Sequence, residues 1–409
     1  MTSKNYKLPA WQPTQPKMNR QWGAILLVAG TCLGSGMVAL PIVLSKLGLY
    51  LGITAMVFMW AIMYGAALVT VELNLQANRS MPLGQLGKHF SGDKAKLLGI
   101  LSIKLLSYAL LAAFLYGISS ILHELLPQYT QTTILVWCSV CAFLVLSTHM
   151  PLIDFLNRML FHSLLVGLGA LILFLWIKLP GVSHLPLVPT ACAQGSWAGV
   201  LPVIFTAFGF HGMIHALTAY CQNDATVLKR AFFWGSLIPA LIYILWTIGV
   251  LGTIYGADRA FYHVMAHKGV EVGDLVRELT DLSHTPWLKT IIWAGMVLKF
   301  ALSIIGVGLS LREALKPLSQ RYVPQPILSV LCIAPPMLIA YFIPNAFIAV
   351  LGFAGMILVI IALFLPLYLL YFAKNPFTFS LLNRPWVLGI LWAVGGITIL
   401  AEVVHTFYK

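Results

Sequence analysis

The stretch from Trp22 to Leu44 limits the possible folds more than any other part of the sequence. It is apolar and long enough to cross a bilayer core of about 30 Å as a helix. Its middle, from Gly30 to Gly36, reads GTCLGSG, and each glycine costs a helix about 1 kcal/mol relative to alanine. This run therefore predicts an interrupted membrane helix. Such a break is tolerated where it lines a cavity, which makes it a candidate binding site, although small residues also serve close helix packing.

A second apolar stretch, Gly199 to Tyr220, has the run FGFHG at its centre. The two glycine-interrupted stretches lie 175 positions apart, from Gly34 to Gly209, and each stands at the start of one half of the chain. Corresponding broken helices in two halves are typical of secondary transporters built from inverted repeats. The sequence therefore predicts a transporter of that kind.

Composition places the whole chain in the membrane. Of its 409 residues 60% are hydrophobic and 9% are charged, whereas about 25% charged is usual for soluble domains. We expect an all-α polytopic membrane protein embedded in a lipid bilayer. Eleven spans are predicted: 22–44, 50–75, 97–122, 132–149, 157–178, 197–220, 230–252, 287–312, 325–343, 346–372 and 386–406.

The charges predict how the spans are oriented. Alternating the loops places sixteen lysines and arginines on the side of the N-terminus and seven on the other side. The positive-inside rule then predicts a cytoplasmic N-terminus and a periplasmic C-terminus. The net charge of +13 is spread over short loops, which favours this topology over a nucleic-acid partner. The predicted organisation is a cytoplasmic tail (1–20), a five-helix repeat (21–178), a second repeat of opposite orientation (197–372) with an external loop (256–286), and an eleventh helix (386–409).

Several runs resemble one family of permeases. They are AGTCLGSGMVALP (29–41), DFLNRMLF (154–161), LPVIFTAFGFHG (201–212), SIIGVGLSLRE (303–313) and VLGFAG (350–355). Together they are similar to the hydroxy/aromatic amino acid permease family, which includes bacterial tyrosine and tryptophan permeases and belongs to the amino acid–polyamine–organocation superfamily. The resemblance implies uptake of tyrosine, tryptophan or phenylalanine across the bacterial inner membrane, driven by the proton gradient. It also implies the inverted-repeat fold of sodium-coupled amino acid transporters.

A zwitterionic substrate needs partners for both of its charges at mid-membrane. Helix amides at the start of the second half of span one would bind the carboxylate, and carbonyls at the ends of the first halves of spans one and six would bind the ammonium. Aromatic side chains suit an aromatic ring. The residues predicted to line the substrate site are Gly30, Leu33, Gly34, Ser35, Gly36, Met37, Tyr108, Thr206, Phe208, Gly209, Phe210, His211 and Ser303.

Two cationic or titratable side chains are candidates for ion coupling. Lys299 lies roughly 18 Å into span eight, where a charge is costly unless it has a partner or an aqueous cavity. In the related sodium transporters spans one and eight form a cation site, so the ammonium would replace the ion and contact the Gly30 or Leu33 carbonyl and Ser303. His211 would carry a proton, or alternatively stand as a neutral imidazole on loosened backbone.

Other readings stay open at this point. Lys299 makes a sodium-coupled symporter less favoured than a proton-coupled one, and an intramembrane enzyme would need a constellation of groups that does not accompany the histidines. Lys104 lies near a span end and is expected to extend to the surface. Glu72 is a candidate partner for a helix end or for Arg79, and Asp154 has no assigned role. No cofactor or metal is expected.

Overall fold

The structure is a computed structural model that describes residues 20–34, 36–148, 150–177, 185–188, 198–283, 286–316, 324–343, 346–373 and 376–407. The first half of the chain forms α1 (Arg20–Cys32), α2 (Gly36–Leu44), α3 (Gly48–Gln76), α4 (Leu83–Phe90), α5 (Asp93–Leu125), α6 (Gln131–Ser147) and α7 (Met150–Ile177). The second half forms α8 (Val200–Ala207), α9 (Ile214–Tyr220), α10 (Ala225–Ala257), α11 (Arg259–His267), α12 (Val272–Asp281), α13 (Pro286–Leu315), α14 (Gln325–Phe342), α15 (Ala346–Val359), α16 (Leu365–Leu370) and α17 (Pro385–Phe407).

The described helices confirm an all-helical polytopic membrane protein. Eight helical segments are long and apolar enough to cross a bilayer, and α1 with α2 makes a ninth that is bent by 53°. The helix α6 and the described part of α7 are shorter apolar helices. The total of eleven spans and the inverted repeat stay predictions, as do the domain boundaries.

Both predicted interruptions are present in the backbone. Span one stops at Cys32 and resumes at Gly36. Span six stops at Ala207, and a 3-10 turn over His211–Met213 leads into α9. The glycine-rich runs therefore break both helices at the positions where the sequence indicates a break.

Hydrogen bonds between loops sort the helix ends into two sets. At one end, Arg20 donates to Gln222 and Ser80 to Asn223. At the other end, the Tyr262 hydroxyl donates to the Ser45 carbonyl (3.1 Å). Spans one and two therefore run in opposite directions, as do spans six and seven, in agreement with the predicted alternation. Which end faces the cytoplasm stays a prediction.

The buried Glu72 carboxylate ties the loop before α17 to the end of α3. It accepts hydrogen bonds from the backbone amides of Thr378 (3.0 and 3.1 Å) and Phe379 (3.3 Å), and from the Gln76 side chain (3.1 Å). The two partners predicted for Glu72 are a helix end and Arg79, and the structure instead shows the backbone amides of a loop that precedes α17. These bonds, together with the buried side chains of Phe379 and Leu382, fix the position of the loop.

The loop between spans seven and eight carries two short helices, α11 and α12, as its polarity predicts. The sequence pattern predicts that the second one lies at the membrane interface. In the structure α12 instead packs on α5, because Leu275 and Val276 are buried in the protein core. Glu271 accepts hydrogen bonds from the hydroxyls of Tyr116 (2.7 Å) and Ser120 (3.0 Å). An amphipathic pattern identifies a helix with one apolar face, but it does not say what covers that face.

Candidate functional site

The two breaks adjoin each other in the folded chain. Gly36, which begins the second half of span one, packs against Ala207, which ends the first half of span six. A Cβ atom placed on Gly36 would lie 2.6 Å from the Ala207 Cβ and 2.8 Å from the Tyr243 ring. Only glycine allows this approach, so both sequence interpretations of the glycines hold here. They interrupt the helix, and they let the two spans touch.

Two aromatic side chains of α10 brace the break in span one. The Tyr243 hydroxyl donates to the Cys32 carbonyl (2.5 Å) and accepts from the Gly34 amide (3.2 Å). The indole of Trp246 donates to the Met37 carbonyl. Tyr243 and Trp246 are fully buried, and neither is among the site residues predicted from the sequence. Their spacing of three residues puts two polar-tipped aromatic rings on one face of span seven, which is the signal that would have found them.

Tyr243 also connects span one to the break in span six. Its ring meets the Phe208 ring edge to face, with 6.0 Å between centroids. Phe210 stacks on Phe232 at 5.8 Å and on His211 at 4.7 Å. Both phenylalanines are buried, so in this conformation the predicted ring pocket is filled by the protein's own aromatic groups.

The backbone of the second break is accessible where its side chains are not. Gly209 and Gly212 are exposed, although Phe208, Phe210 and His211 around them are buried. Non-helical backbone at membrane depth is found where it lines a cavity or packs in protein. Gly209 and Gly212 are therefore the positions in this break at which the backbone is open to solvent or a ligand.

The predicted carbonyl ligands are partly used within the break itself. The Thr206 carbonyl accepts from the Gly209 amide (3.1 Å), and the Phe208 carbonyl accepts from the Phe210 amide (3.0 Å). The Thr206 carbonyl also accepts from the Phe208 amide, so both of its lone pairs are used, whereas one acceptor position remains on the Phe208 carbonyl for an ammonium group. The Thr206 hydroxyl lies 3.1 Å from the Leu351 carbonyl of α15 and is turned away to that helix.

His211 faces a small cavity beside the break. The cavity offers about 20 Å³ to a water molecule and is also lined by Gly212, His215 and Thr70. The Met63 backbone is near the His211 ring, but neither ring nitrogen makes a hydrogen bond of ordinary geometry to the described residues. A volume above about 10–15 Å³ with polar walls holds one water. The site therefore suits a water-linked imidazole.

Lys299 is buried in α13 and does not extend to either surface. Its side chain is 1% exposed, and its ammonium nitrogen has no hydrogen-bond partner among the described residues. The nitrogen lies over the rings of Phe300 (4.0 Å to the centroid) and Phe114 (5.3 Å). Ring faces attract a cation but replace only part of its hydration. The predicted contacts with the Gly30 or Leu33 carbonyl and with Ser303 are not made in this conformation.

Two predicted site residues, Tyr108 and Ser303, make their described hydrogen bonds away from the breaks in spans one and six. The Tyr108 hydroxyl donates to the Leu331 carbonyl (3.0 Å) at the interface of α5 and α14. The Ser303 hydroxyl donates to the Lys299 carbonyl of its own helix (3.0 Å). Gly30 and Leu33, by contrast, lie at the break in span one, in the last turn of α1 and just after it, and both are half-buried. Ser35 lies outside the described residues, as does the side chain of Asp154.

In this bundle of membrane helices two interrupted spans meet beside the accessible backbone of Gly209. This arrangement is typical of membrane transport proteins. A family model described as the tryptophan/tyrosine permease family matches residues 17–399. The chain belongs to this family, which is a family of permeases and not of enzymes.

Individual relatives agree with that assignment over most of their length. The chain is 30% identical to the tyrosine-specific transport system 1 of Haemophilus influenzae, over 88% of this chain and 89% of the relative. It is 27% identical to a tryptophan-specific transport protein of Pseudomonas aeruginosa, over 89% and 88%. It is also 27% identical to glutamine transporter 2 of Aliivibrio fischeri, over 85% and 87%.

Proposed function

We propose that this protein imports aromatic amino acids across the bacterial inner membrane by proton symport, with alternating access to a site between spans one and six. The observation that carries the proposal is the contact of the two breaks, Gly36 against Ala207, beside the accessible backbone of Gly209. A bundle that needed only to span the membrane would have no use for two adjoining interruptions, since each one costs helix hydrogen bonds.

The polar groups around the breaks match an amino acid's backbone. The first amides of α2, those of Gly36 and Met37, have no acceptor within their own helix and lie at the positive end of its dipole. They suit a carboxylate. The Phe208 carbonyl, which has a lone pair to spare, suits the ammonium group.

The side chains around the same point favour an aromatic substrate. Phe208, Phe210 and Tyr243 already pack edge to face or stacked, which is the geometry that an incoming ring would adopt with them. Admission of a substrate ring requires these side chains to separate from each other, and alternation between two access states provides that movement. Glutamine, the substrate in one relative's name, has no ring to gain from such a pocket.

Lys299 is proposed to link transport to protons. It lies in span eight, is buried, and has only ring faces near its nitrogen, so its charge is costly in this state. In another access state a lysine at this depth would reach carbonyls freed at the break and hold a proton there. Its charge would then take the place of a sodium ion. His211, beside a water-sized cavity, is the alternative proton carrier.

Uptake by the purified protein in proteoliposomes tests the proposed function. The panel consists of labelled tyrosine, tryptophan, phenylalanine and glutamine, each with an imposed inward proton gradient or an imposed sodium gradient. We expect accumulation of at least one aromatic amino acid under the proton gradient in sodium-free buffer, with glutamine at the level of empty vesicles. Accumulation that requires sodium, or that is restricted to glutamine, would contradict the proposal.

A further inference from the structure

A second cavity lies at the end of the bundle where α3, α10 and the turn before α17 meet, and none of the break residues lines it. Its volume is about 420 Å³, enough for a small polar headgroup. Tyr64 and Leu68 of α3 form one wall, and Lys229 of α10 lies on a second side. Arg384 and Trp386, at the start of α17, also line the cavity.

Two cations from different parts of the chain converge on this cavity without an anion. Lys229 and Arg384 are exposed, and neither side chain has an ion pair or hydrogen bond with any residue that the structure describes. Other lysines do find acids, as Lys316 does with Glu313 at 2.6 Å. Two like charges that share a cavity repel each other, so an anion supplied from outside the chain would stabilise them.

The position of Arg384 is built into the fold. The loop that leads to it is tied to α3 by the amides of Thr378 and Phe379, which donate to the buried Glu72 carboxylate. Glu72 is the nearby acid on α3, and its oxygens are turned onto these amides and the Gln76 side chain. It therefore holds the loop and leaves the cavity positive.

An aromatic wall continues from the cavity along the outside of the bundle. Tyr64 stacks with Trp60 at 6.4 Å and meets Phe233 edge to face at 5.5 Å, and all three rings are half-buried. Trp386 is 58% exposed at the end of its span, the position that tryptophan favours at the edge of a bilayer. A free phosphate ion would need the two cations but would gain nothing from this wall.

We infer that the cavity is a binding site for an anionic phospholipid. Lys229 and Arg384 hold the charged headgroup, and the acyl chains run along Trp60, Tyr64 and Phe233. Arginine binds phosphate oxygens in a forked geometry and lysine as a point charge, and basic pockets between membrane helices are where such headgroups bind. The inference concerns the membrane environment and does not depend on which amino acid is transported.

Native mass spectrometry of the purified full chain, titrated with phosphatidylglycerol, tests this site. The double variant Lys229→Gln/Arg384→Gln should bind its tightest phosphatidylglycerol about 30-fold more weakly, because each cation near a lipid surface contributes about a factor of five. The matched control Lys94→Gln/Arg230→Gln removes the same two charges from exposed positions that do not line the cavity. It should bind as the wild type does. If the double variant does not fold, each single variant should show a loss of about fivefold.

Two further ligands separate the lipid from its parts. Phosphatidylcholine with the same chains should bind the wild type far more weakly, since it has no net charge. Inorganic phosphate should not displace bound phosphatidylglycerol. Equal affinity of wild type and double variant for phosphatidylglycerol would overturn the inference. So would an equal loss in the control variant, or displacement of the lipid by phosphate alone, which would identify a site for small anions.

Discussion

A single hydroxyl group, that of Tyr243, binds two backbone groups at the break in span one. It donates to the Cys32 carbonyl and accepts from the Gly34 amide, and the residue is fully buried. A buried backbone group that loses its partner costs about 1–3 kcal/mol. The shape of the break therefore depends on span seven as well as on its own glycines.

The variant Tyr243→Phe should lower the free energy of unfolding by about 1–3 kcal/mol and raise the KM for uptake. The Cys32 carbonyl and the Gly34 amide each lose a hydrogen bond of about 0.5–1.5 kcal/mol and keep only the bond between them (2.6 Å). Thermal unfolding of the purified protein and uptake kinetics measure the two effects. Tyr255→Phe on the same helix is the control, since the Tyr255 hydroxyl has no hydrogen bond to the described residues. If both variants behave like the wild type, the hydroxyl does not hold the break.

Single side chains are also where the sequence predicts least. Counting residues into span eight gives the depth of Lys299, and its burial in the structure confirms that it does not extend to the surface. The count says nothing of direction, so the Phe114 and Phe300 rings around it could not be foreseen. Because the direction of a side chain is not predicted, the sequence also places Tyr108 in the substrate site, whereas its hydroxyl binds α14.

At the scale of elements, the glycine runs predict both breaks but not what the broken helices touch. Backbone propensity is local, so Gly34 and Gly209 can be read from the chain alone. The packing of Gly36 on Ala207 depends on the tertiary arrangement of two spans far apart in sequence. The same limit applies to α12. The sequence predicts that its apolar face lies at the membrane interface, and in the structure α5 covers that face.

Gly36→Ala tests whether the contact between the two breaks is required. The added Cβ would overlap Ala207 and the Tyr243 ring, and such overpacking costs about 1–3 kcal/mol. We expect lower thermal stability and a large loss of uptake. Gly295→Ala in α13, where an added Cβ meets nothing within 4 Å, should leave both unchanged. Wild-type uptake by Gly36→Ala would show that the spans need not approach so closely.

At the scale of the whole molecule, span positions follow from the sequence because a bilayer fixes the length of an apolar helix. Predicted and observed span ends agree within five residues, apart from the start of α7, which begins at Met150. The excess of apolar residues does not tell lipid-facing from protein-facing sides, since both are hydrophobic. Two features are therefore visible only in the folded chain: the packing on α5 of the loop between spans seven and eight, and the cavity near Arg384.

The most direct test of the account compares Lys299→Met with wild type in proteoliposomes. Two quantities are measured: accumulation of the aromatic substrate under an imposed proton gradient, and exchange of labelled for unlabelled substrate without a gradient. The matched control is Lys104→Met, which removes a lysine from a half-buried position of α5. The account predicts that Lys299→Met loses proton-driven accumulation but keeps exchange, while the control keeps both. Normal accumulation by Lys299→Met under the proton gradient would contradict it.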